Sequence, residues 1–156
     1  MREILISACV YGEHVRWNGS HKKDDDIKVW ALSNGFRLIP VCPEDELLGT
    51  PRQPIRMYYD TTIQANVGHL DVYEDLDEKC ANIISRHPDA VGFIGIARSP
   101  SCGVSVGVKN LGKTIKAPMH IHADFPTTEI SSMKSQKNRD MFLQRIEKYI
   151  SLSSNN

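Results

Sequence analysis

Residues 94–103 of the chain are Ile94-Gly95-Ile96-Ala97-Arg98-Ser99-Pro100-Ser101-Cys102-Gly103. They end an apolar run that begins at Ala90 and breaks into a turn of serine, proline, cysteine and glycine. Apolar runs of this length, bounded by Pro and Gly, are typical of buried strands. The turn therefore presents a thiol, two hydroxyls and free backbone N–H groups at the end of a central strand. In open α/β sheets, ligands bind at that edge.

Two further apolar runs also end on a cysteine. Residues 2–8 lead to Cys9, and residues 36–41 lead to Cys42. Between these runs, apolar residues at helical spacing predict helices that begin at residues 24–26 and that span residues 71–87 and 135–152. Strands that alternate with helices predict a three-layer αβα domain with a mainly parallel, Rossmann-like sheet, and residues 1–156 are expected to form one such domain.

Other segments give weaker patterns. Met119–Asp124 is predicted to be a fourth strand, and Asp45–Pro54 an irregular loop, because two prolines interrupt it. Ile55–Tyr59 fits either a short strand or a wall over the site. The glycine-rich stretch after Gly103 receives no assignment.

Composition limits the classes of function. The 156 residues include 19 basic and 19 acidic side chains, which argues against a protein held mainly by nucleic-acid phosphates or an anionic membrane surface. No run approaches the roughly 18 to 20 apolar residues that a membrane span needs. The first residues enter a strand pattern directly and lack the apolar stretch of a signal peptide. We therefore expect a cytoplasmic protein without a membrane partner.

The four cysteines are the main candidates for chemistry. Cys80 falls on the apolar face of a predicted helix and is assigned to the core, where free cysteine is common. Cys9, Cys42 and Cys102 each follow a strand, and parallel strands end at one sheet edge, so these three thiols are expected to converge. Two classes of site remain open. A nucleophilic or redox cysteine would need a base, and the candidates are His14, His21, His120 and His122.

The second class is a metal site built from all three thiolates. It would hold either zinc with one open position or an iron–sulfur cluster with one iron lacking a protein ligand. No CxxC pair is present, so spacing does not separate the two. Glu44, two residues after Cys42, would stand beside such a site as a general acid or base.

Three sets of short motifs carry a resemblance to a known family. They are Ser7-Ala8-Cys9 with Gly12, Arg16-Trp17-Asn18-Gly19 and Lys22; Pro40-Val41-Cys42-Pro43-Glu44 with Thr50-Pro51-Arg52 and Pro54; and Arg98-Ser99-Pro100-Ser101-Cys102-Gly103. Together they cover about the first 105 residues, and they resemble the thiouracil desulfurase (TudS-like) family. Val10-Tyr11 and Trp17-Asn18 depart from the usual family residues, as does the stretch after Gly103.

The resemblance implies a [4Fe-4S] cluster held by Cys9, Cys42 and Cys102, with one open iron for substrate sulfur. It also implies that Glu44 and a serine, Ser99 or Ser101, take part in catalysis. The expected activity is a non-redox desulfuration that replaces C=S by C=O and releases sulfide. The substrate would be a thiolated pyrimidine base or nucleotide, of the thiouracil or 4-thio-UMP type. No rhodanese-like second domain is fused, which makes tRNA the less favoured substrate.

Further residues of the motif loops suit such a substrate. Four cations, Arg16, Lys22, Arg52 and Arg98, are candidates for binding a nucleotide phosphate. Tyr11 and Trp17 are candidates for stacking on a pyrimidine. The alternative function is a non-catalytic metal or cluster carrier, or a redox sensor, that uses the same three cysteines.

Overall fold

The computed structural model describes residues 1–59, 63–67, 70–109 and 112–154. The elements in chain order are β1 (Arg2–Ser7), α1 (Ala8–Tyr11), α2 (Asp25–Ser33), β2 (Phe36–Val41), α3 (Pro43–Leu48), β3 (Ile55–Tyr59), β4 (Ile63–Val67), β5 (Leu70–Asp71), α4 (Tyr73–Ser85), β6 (Ala90–Gly95), β7 (Val106–Lys109), β8 (Lys113–Ile115), α5 (Pro118–His122), β9 (Thr127–Glu129), a short 3-10 helix (Ser132–Lys134) and α6 (Gln136–Ser154). None of the helices in these ranges combines the length and the apolar character that crossing a membrane requires.

The first sheet has four parallel strands in the order β2-β1-β6-β9. Because side chains alternate along a strand, Ile4 and Ile6 of β1 pack on one face and Leu5 packs on the other. Helices α2 and α6 cover the first face with Trp30 and Phe142 among others, and α4 and α5 cover the second. This arrangement confirms the predicted α/β class with a mainly parallel sheet.

A second sheet of five strands, in the order β5-β4-β3-β7-β8, was not predicted. It pairs β3 with β4 and β7 with β8 as antiparallel neighbours, and β3 with β7 in parallel. Met57 and Val108 pack with Leu76 of α4 in a separate apolar cluster. Ile55–Tyr59 is thus a strand, and Ile55 also forms part of the wall of the cavity described below.

Two predictions of local structure are wrong. Met119–Asp124 is not a strand, because Pro118 occupies the first turn of helix α5, where its missing N–H costs nothing. The fourth parallel strand is β9, which pairs with β6. The segment predicted as an irregular loop, Asp45–Pro54, begins inside helix α3, because Pro43 again stands in the first helical turn.

The turn after β6 folds back over the end of that strand. A Cβ atom added at Gly95 would lie 1.9 Å from the carbonyl oxygen of Cys102, far inside van der Waals contact. Gly95 is therefore required by the close approach of two backbone segments. This contact sets where the Cys102 turn can lie.

We expect Gly95→Ala to lower the free energy of unfolding by about 3 kcal/mol, because the added methyl group forces the turn away from β6. Gly107→Ala is the matched control, since nothing lies within 4 Å of a Cβ atom there. It should change stability by less than about 0.5 kcal/mol or stabilise slightly. Urea titrations followed by circular dichroism measure both. Equal stability of the two variants would contradict the close approach.

Candidate active site

A cavity of about 620 Å³ opens at the carboxyl edge of the parallel sheet. Ser7 at the end of β1, Val41 at the end of β2 and Ile96 just after β6 contribute to its wall. The cavity also collects residues from every motif identified in the sequence. The predicted site residues that line it are Cys9, Cys42, Cys102, Glu44, Ser99, Ser101, Arg16, Lys22, Arg52 and Arg98.

The three thiols reach the cavity from different local structures. Cys9 lies in α1, directly after β1, and its carbonyl oxygen accepts a hydrogen bond from Lys22 N at 2.8 Å. Cys42 is the N-cap residue of α3, and its Sγ accepts a hydrogen bond from Asp45 N at 3.4 Å. Cys102 belongs to the turn after β6 and is buried. Cys80 of α4 is fully buried and does not line the cavity.

Burial keeps these thiols protonated in the metal-free chain. Desolvation, together with the Cys102 thiol and the Glu44 carboxylate, raises the pKa of Cys42 to about 12. Desolvation also raises the pKa of Cys9 and of Cys102 to about 11, and each is raised further by another thiol of the set. A bound metal centre supplies the positive charge that would let all three ionise together.

The three thiols are near enough to influence one another's pKa. Within the described ranges, no group of three or more His, Cys, Asp or Glu side chains is arranged to hold one metal ion. A single zinc ion needs its sulfur ligands about 2.3 Å from the metal. Thiolates set around a wider cavity suit a larger group, and cysteine thiolates are the usual ligands of iron–sulfur clusters. The donor set is therefore compatible with a cluster.

Glu44 accepts hydrogen bonds from two hydroxyl groups of the turn. Its Oε2 accepts hydrogen bonds from Ser101 Oγ at 3.0 Å and from Ser99 Oγ at 3.3 Å. Ser99 Oγ also accepts a hydrogen bond from Cys102 N at 3.1 Å, and Ser101 Oγ lies 3.4 Å from Cys102 Sγ. One polar network thus connects a carboxylate of α3 with the Cys102 thiol.

The backbone of the turn is specialised at Arg98, a non-glycine residue with φ of 66°. Such left-handed conformations cost free energy and are concentrated at functional sites. Ser7, a motif residue to which the sequence assigned no role, adds a further polar group. Its buried hydroxyl has no hydrogen-bond partner in the part of the chain that the structure describes, and it is close enough to Cys102 to lower the pKa of that thiol.

The four predicted cations have different surroundings. The side chains of Arg16, Lys22 and Arg98 have no ion pair or hydrogen bond with the described residues, so they are free to meet an anion. Arg16 is close enough to Cys9 to lower the pKa of that thiol.

Arg52 is engaged within the protein. Its Nη1 donates to Gly49 O at 3.1 Å and to Thr50 Oγ1 at 2.9 Å. Its backbone N–H donates to Trp17 O at 2.8 Å, which joins the two loops. Arg52 therefore shapes the cavity wall as well as lining it.

The two aromatic candidates, Trp17 and Tyr11, differ in whether they line the cavity. Trp17 lines the cavity and is 46% exposed. Tyr11 does not line the cavity: it packs against the core, and Lys28 Nζ lies 4.2 Å from the centroid of its ring. We therefore leave Tyr11 out of the substrate site proposed below.

None of the four candidate histidine bases lines the cavity. The rings of His14 and His21 contact each other with centroids 4.7 Å apart, and His122 pairs with Asp77. His120 is buried behind the turn, where its Nε2 lies 2.8 Å from the carbonyl oxygen of Cys102, and burial lowers its pKa. Sequence periodicity gave no signal for this contact, because it joins residues 18 positions apart across a turn.

In the metal-free protein, alkylation of Cys42 by iodoacetamide should rise about thirtyfold between pH 8 and pH 9.5, because only the thiolate reacts and a pKa of about 12 lies above both pH values. A thiol with the ordinary pKa of 9.0 would accelerate only about eightfold. Mass spectrometry of the Cys42 peptide measures the rate, with circular dichroism to verify the fold.

Since the folded pKa values exceed the ordinary one, the stability linked to these thiols is complete below pH 9 and is lost as pH rises toward 11 to 12.

The model of a family described as 2-thiouracil desulfurase matches residues 4–146. Among solved structures, the chain is similar to one described as a [4Fe-4S]-dependent thiouracil desulfidase, TudS, with a TM-score of 0.67 and 20% sequence identity. The match covers 85% of this chain and 93% of that one, and at this identity it establishes the fold alone. No curated protein matches the chain significantly.

Proposed function

The chain belongs to the 2-thiouracil desulfurase family, and from this membership we propose that it hydrolyses the thiocarbonyl group of a thiolated pyrimidine base or nucleotide. The observation that supports this best is the composition of the cavity wall. Three thiols, a carboxylate and two hydroxyls line one cavity, and the carboxylate is hydrogen-bonded to both hydroxyls. A non-catalytic carrier or a redox sensor has no use for a carboxylate held in this way.

Cys9, Cys42 and Cys102 are the proposed ligands of a [4Fe-4S] cluster. Three protein thiolates leave one iron open, and that iron would act as a soft Lewis acid toward the thiocarbonyl sulfur of the substrate. The Ser7 hydroxyl lies close enough to Cys102 to lower the pKa of that thiol. Asp45 N donates a hydrogen bond to the sulfur of Cys42. Hydrogen bonds of this kind stabilise thiolate charge.

Glu44 is the proposed general base. Its Oε2 is occupied by the two serine hydroxyls, whereas its Oε1 has no hydrogen-bond partner within the described ranges. Oε1 is therefore free to take a proton from a water molecule as the water oxygen attacks the ring carbon. Ser101 donates the shorter of the two hydrogen bonds and is the serine we assign to orienting Glu44, while Ser99 also holds Cys102 N.

The proposed reaction consumes one water molecule per thiocarbonyl group. The oxygen of that water becomes the carbonyl oxygen, and its two protons leave with the sulfur as hydrogen sulfide. Glu44 returns the proton that it accepted, so it ends the cycle in its starting state. No external oxidant or reductant is required.

Substrate binding is assigned to the free cations and to Trp17. Arg16, Lys22 and Arg98 lack protein partners among the described residues and suit a phosphate group, which favours a nucleotide over the free base. Arg52 supports the same region of the wall through Trp17 O. The exposed indole of Trp17 offers a face on which a pyrimidine can stack.

Anaerobically purified protein should be brown and contain about four iron and four sulfide per chain, as a [4Fe-4S] cluster requires. Each of Cys9→Ser, Cys42→Ser and Cys102→Ser should lose most of that iron, because a serine oxygen is a poor replacement for a thiolate. Cys80→Ala is the matched control and should keep it, since Cys80 is outside the cavity. Iron analysis and absorption spectra decide, and a Cys42→Ser variant with full iron content would disprove the ligand assignment.

Glu44→Gln should keep the cluster but lower kcat for sulfide release by on the order of 10²-fold or more, because the amide cannot accept the proton. Glu46→Gln on the same helix is the control, because Glu46 pairs with Arg86 outside the cavity. It should retain nearly full activity. The assay compares 4-thiouracil, 4-thio-UMP and 2-thiouracil. Absence of sulfide release from all of them by cluster-loaded wild-type protein would refute the proposed function.

A further inference from the structure

We propose that His120 is a positioning residue: through the hydrogen bond from its Nε2 to the carbonyl oxygen of Cys102, it fixes the turn that carries the Cys102 thiol and the two serines. The inference deepens the proposed function and rests on it, since it concerns one of the proposed cluster ligands. His120 is 7% exposed and lies outside the cavity wall, so it acts through the turn and does not contact the substrate.

Three consecutive carbonyl groups of the turn, those of Ser101, Cys102 and Gly103, accept hydrogen bonds from one neighbouring segment, residues 117–120. Ser101 O accepts from Met119 N at 3.1 Å, and Gly103 O accepts from Ala117 N at 2.9 Å. Between them, Cys102 O accepts from the side chain of His120 at 2.8 Å. Pro118 has no N–H group, so the backbone of this segment has no donor at that position. The imidazole supplies the missing donor.

The amide groups of the same turn are also bonded. Cys102 N donates to Ser99 Oγ at 3.1 Å, and Gly103 N donates to Ser99 O at 2.9 Å. Val104 N donates to Glu129 Oε1 at the end of β9. Because buried backbone groups cost free energy when they are unpaired, each of these bonds restricts where the turn can lie. Removal of the His120 donor would leave one buried carbonyl without a partner.

The imidazole is held in one orientation, and this leaves one of its buried nitrogen atoms without a hydrogen-bond partner within the described part of the chain. A carbonyl oxygen can only accept, so Nε2 carries the hydrogen, and Nδ1 of the neutral ring is an acceptor. That Nδ1 atom is buried without a partner among the described residues. The ring packs on Phe93 with centroids 5.2 Å apart, and a Cβ atom at Gly95 would lie 3.0 Å from Nε2. A buried nitrogen without a hydrogen-bond partner is unfavourable. We infer that the hydrogen bond from Nε2 to Cys102 O offsets this cost.

The position of the turn matters for chemistry because one short segment carries three reacting or ligating groups. Ser99 and Ser101 bind Oε2 of Glu44, and Cys102 is a proposed ligand. A shift of the Cys102 carbonyl moves all three side chains relative to α3. The expected consequences are a less firmly held cluster and a misplaced base.

Four single variants test the assignment in the full-length chain purified anaerobically. In His120→Gln the side-chain amide nitrogen falls near the position of Nε2, whereas in His120→Asn it falls near that of Nδ1. His120→Leu removes the donor altogether. His122→Leu is the control on the same helix, because it loses only a partly exposed pair with Asp77.

The first readout is the rate at which a chelator removes iron. It should rise by about 10-fold or more in His120→Leu and His120→Asn, the usual scale for residues that support a metal ligand. It should stay within about threefold of wild type in His120→Gln and within about twofold in His122→Leu. In the same two affected variants kcat should fall about 10-fold while KM changes less than about threefold.

The second readout does not depend on activity or on the cluster. Hydrogen–deuterium exchange of a peptide covering residues 98–104 should be faster in His120→Leu and His120→Asn than in wild type, and unchanged in His120→Gln and His122→Leu. Equal exchange in all four variants would overturn the inference. If His120→Leu does not fold, the Gln and Asn pair decides alone, since the two differ only in where the amide reaches. An inactive but cluster-loaded wild type would refute the proposed function while leaving the exchange comparison decisive for His120.

Discussion

The contact between Gly95 and the carbonyl group of Cys102 is the constraint on which the site depends. It lets the turn of residues 98–103 fold back onto β6, so that the thiol of Cys102 enters the cavity and does not extend beyond the sheet. Two further elements of the fold are bonded to this turn. Glu44 reaches it from α3 through two serine hydroxyls, and α5 reaches it through two backbone bonds and one imidazole.

Burial of the thiols affects their charge differently in the metal-free protein and in a protein with a bound metal centre. Without a metal, desolvation holds the pKa of Cys9, Cys42 and Cys102 well above 9.0, so the three sulfur atoms are uncharged near neutral pH. With a metal centre, the same low-polarity surroundings strengthen the attraction between thiolate and metal. The hydroxyls of Ser7 and Ser101 lie near the sulfur of Cys102 and lower the pKa of that thiol.

Much of the architecture could be predicted from the sequence because the parallel strands are buried apolar runs with clear ends. β1, β2 and β6 were located within two residues, and their shared edge placed three cysteines in one cavity. The second sheet was not predictable in the same way, because its strands are short and β7 contains a glycine. Helix α5 was predicted to be a strand. In a segment as short as Met119–Asp124, the spacing of apolar residues does not distinguish the helical period from the strand period. His120 was a candidate base and Ser7 belonged to a quoted motif, but their contacts with Cys102 were not predicted, because they arise across the fold and no local pattern encodes them.

The hydrogen bonds that hold the Cys102 turn also have a consequence for folding during synthesis of the chain. The turn is completed by Ala117, Met119, His120 and Glu129, all of which follow it in the chain. Cys9 and Cys42 leave the ribosome long before these residues do, and so does Cys102 itself. The turn that carries Cys102 can therefore be completed only after residue 129 has been synthesised. The cluster proposed to bind Cys9, Cys42 and Cys102 would then enter a nearly finished fold and not a nascent chain.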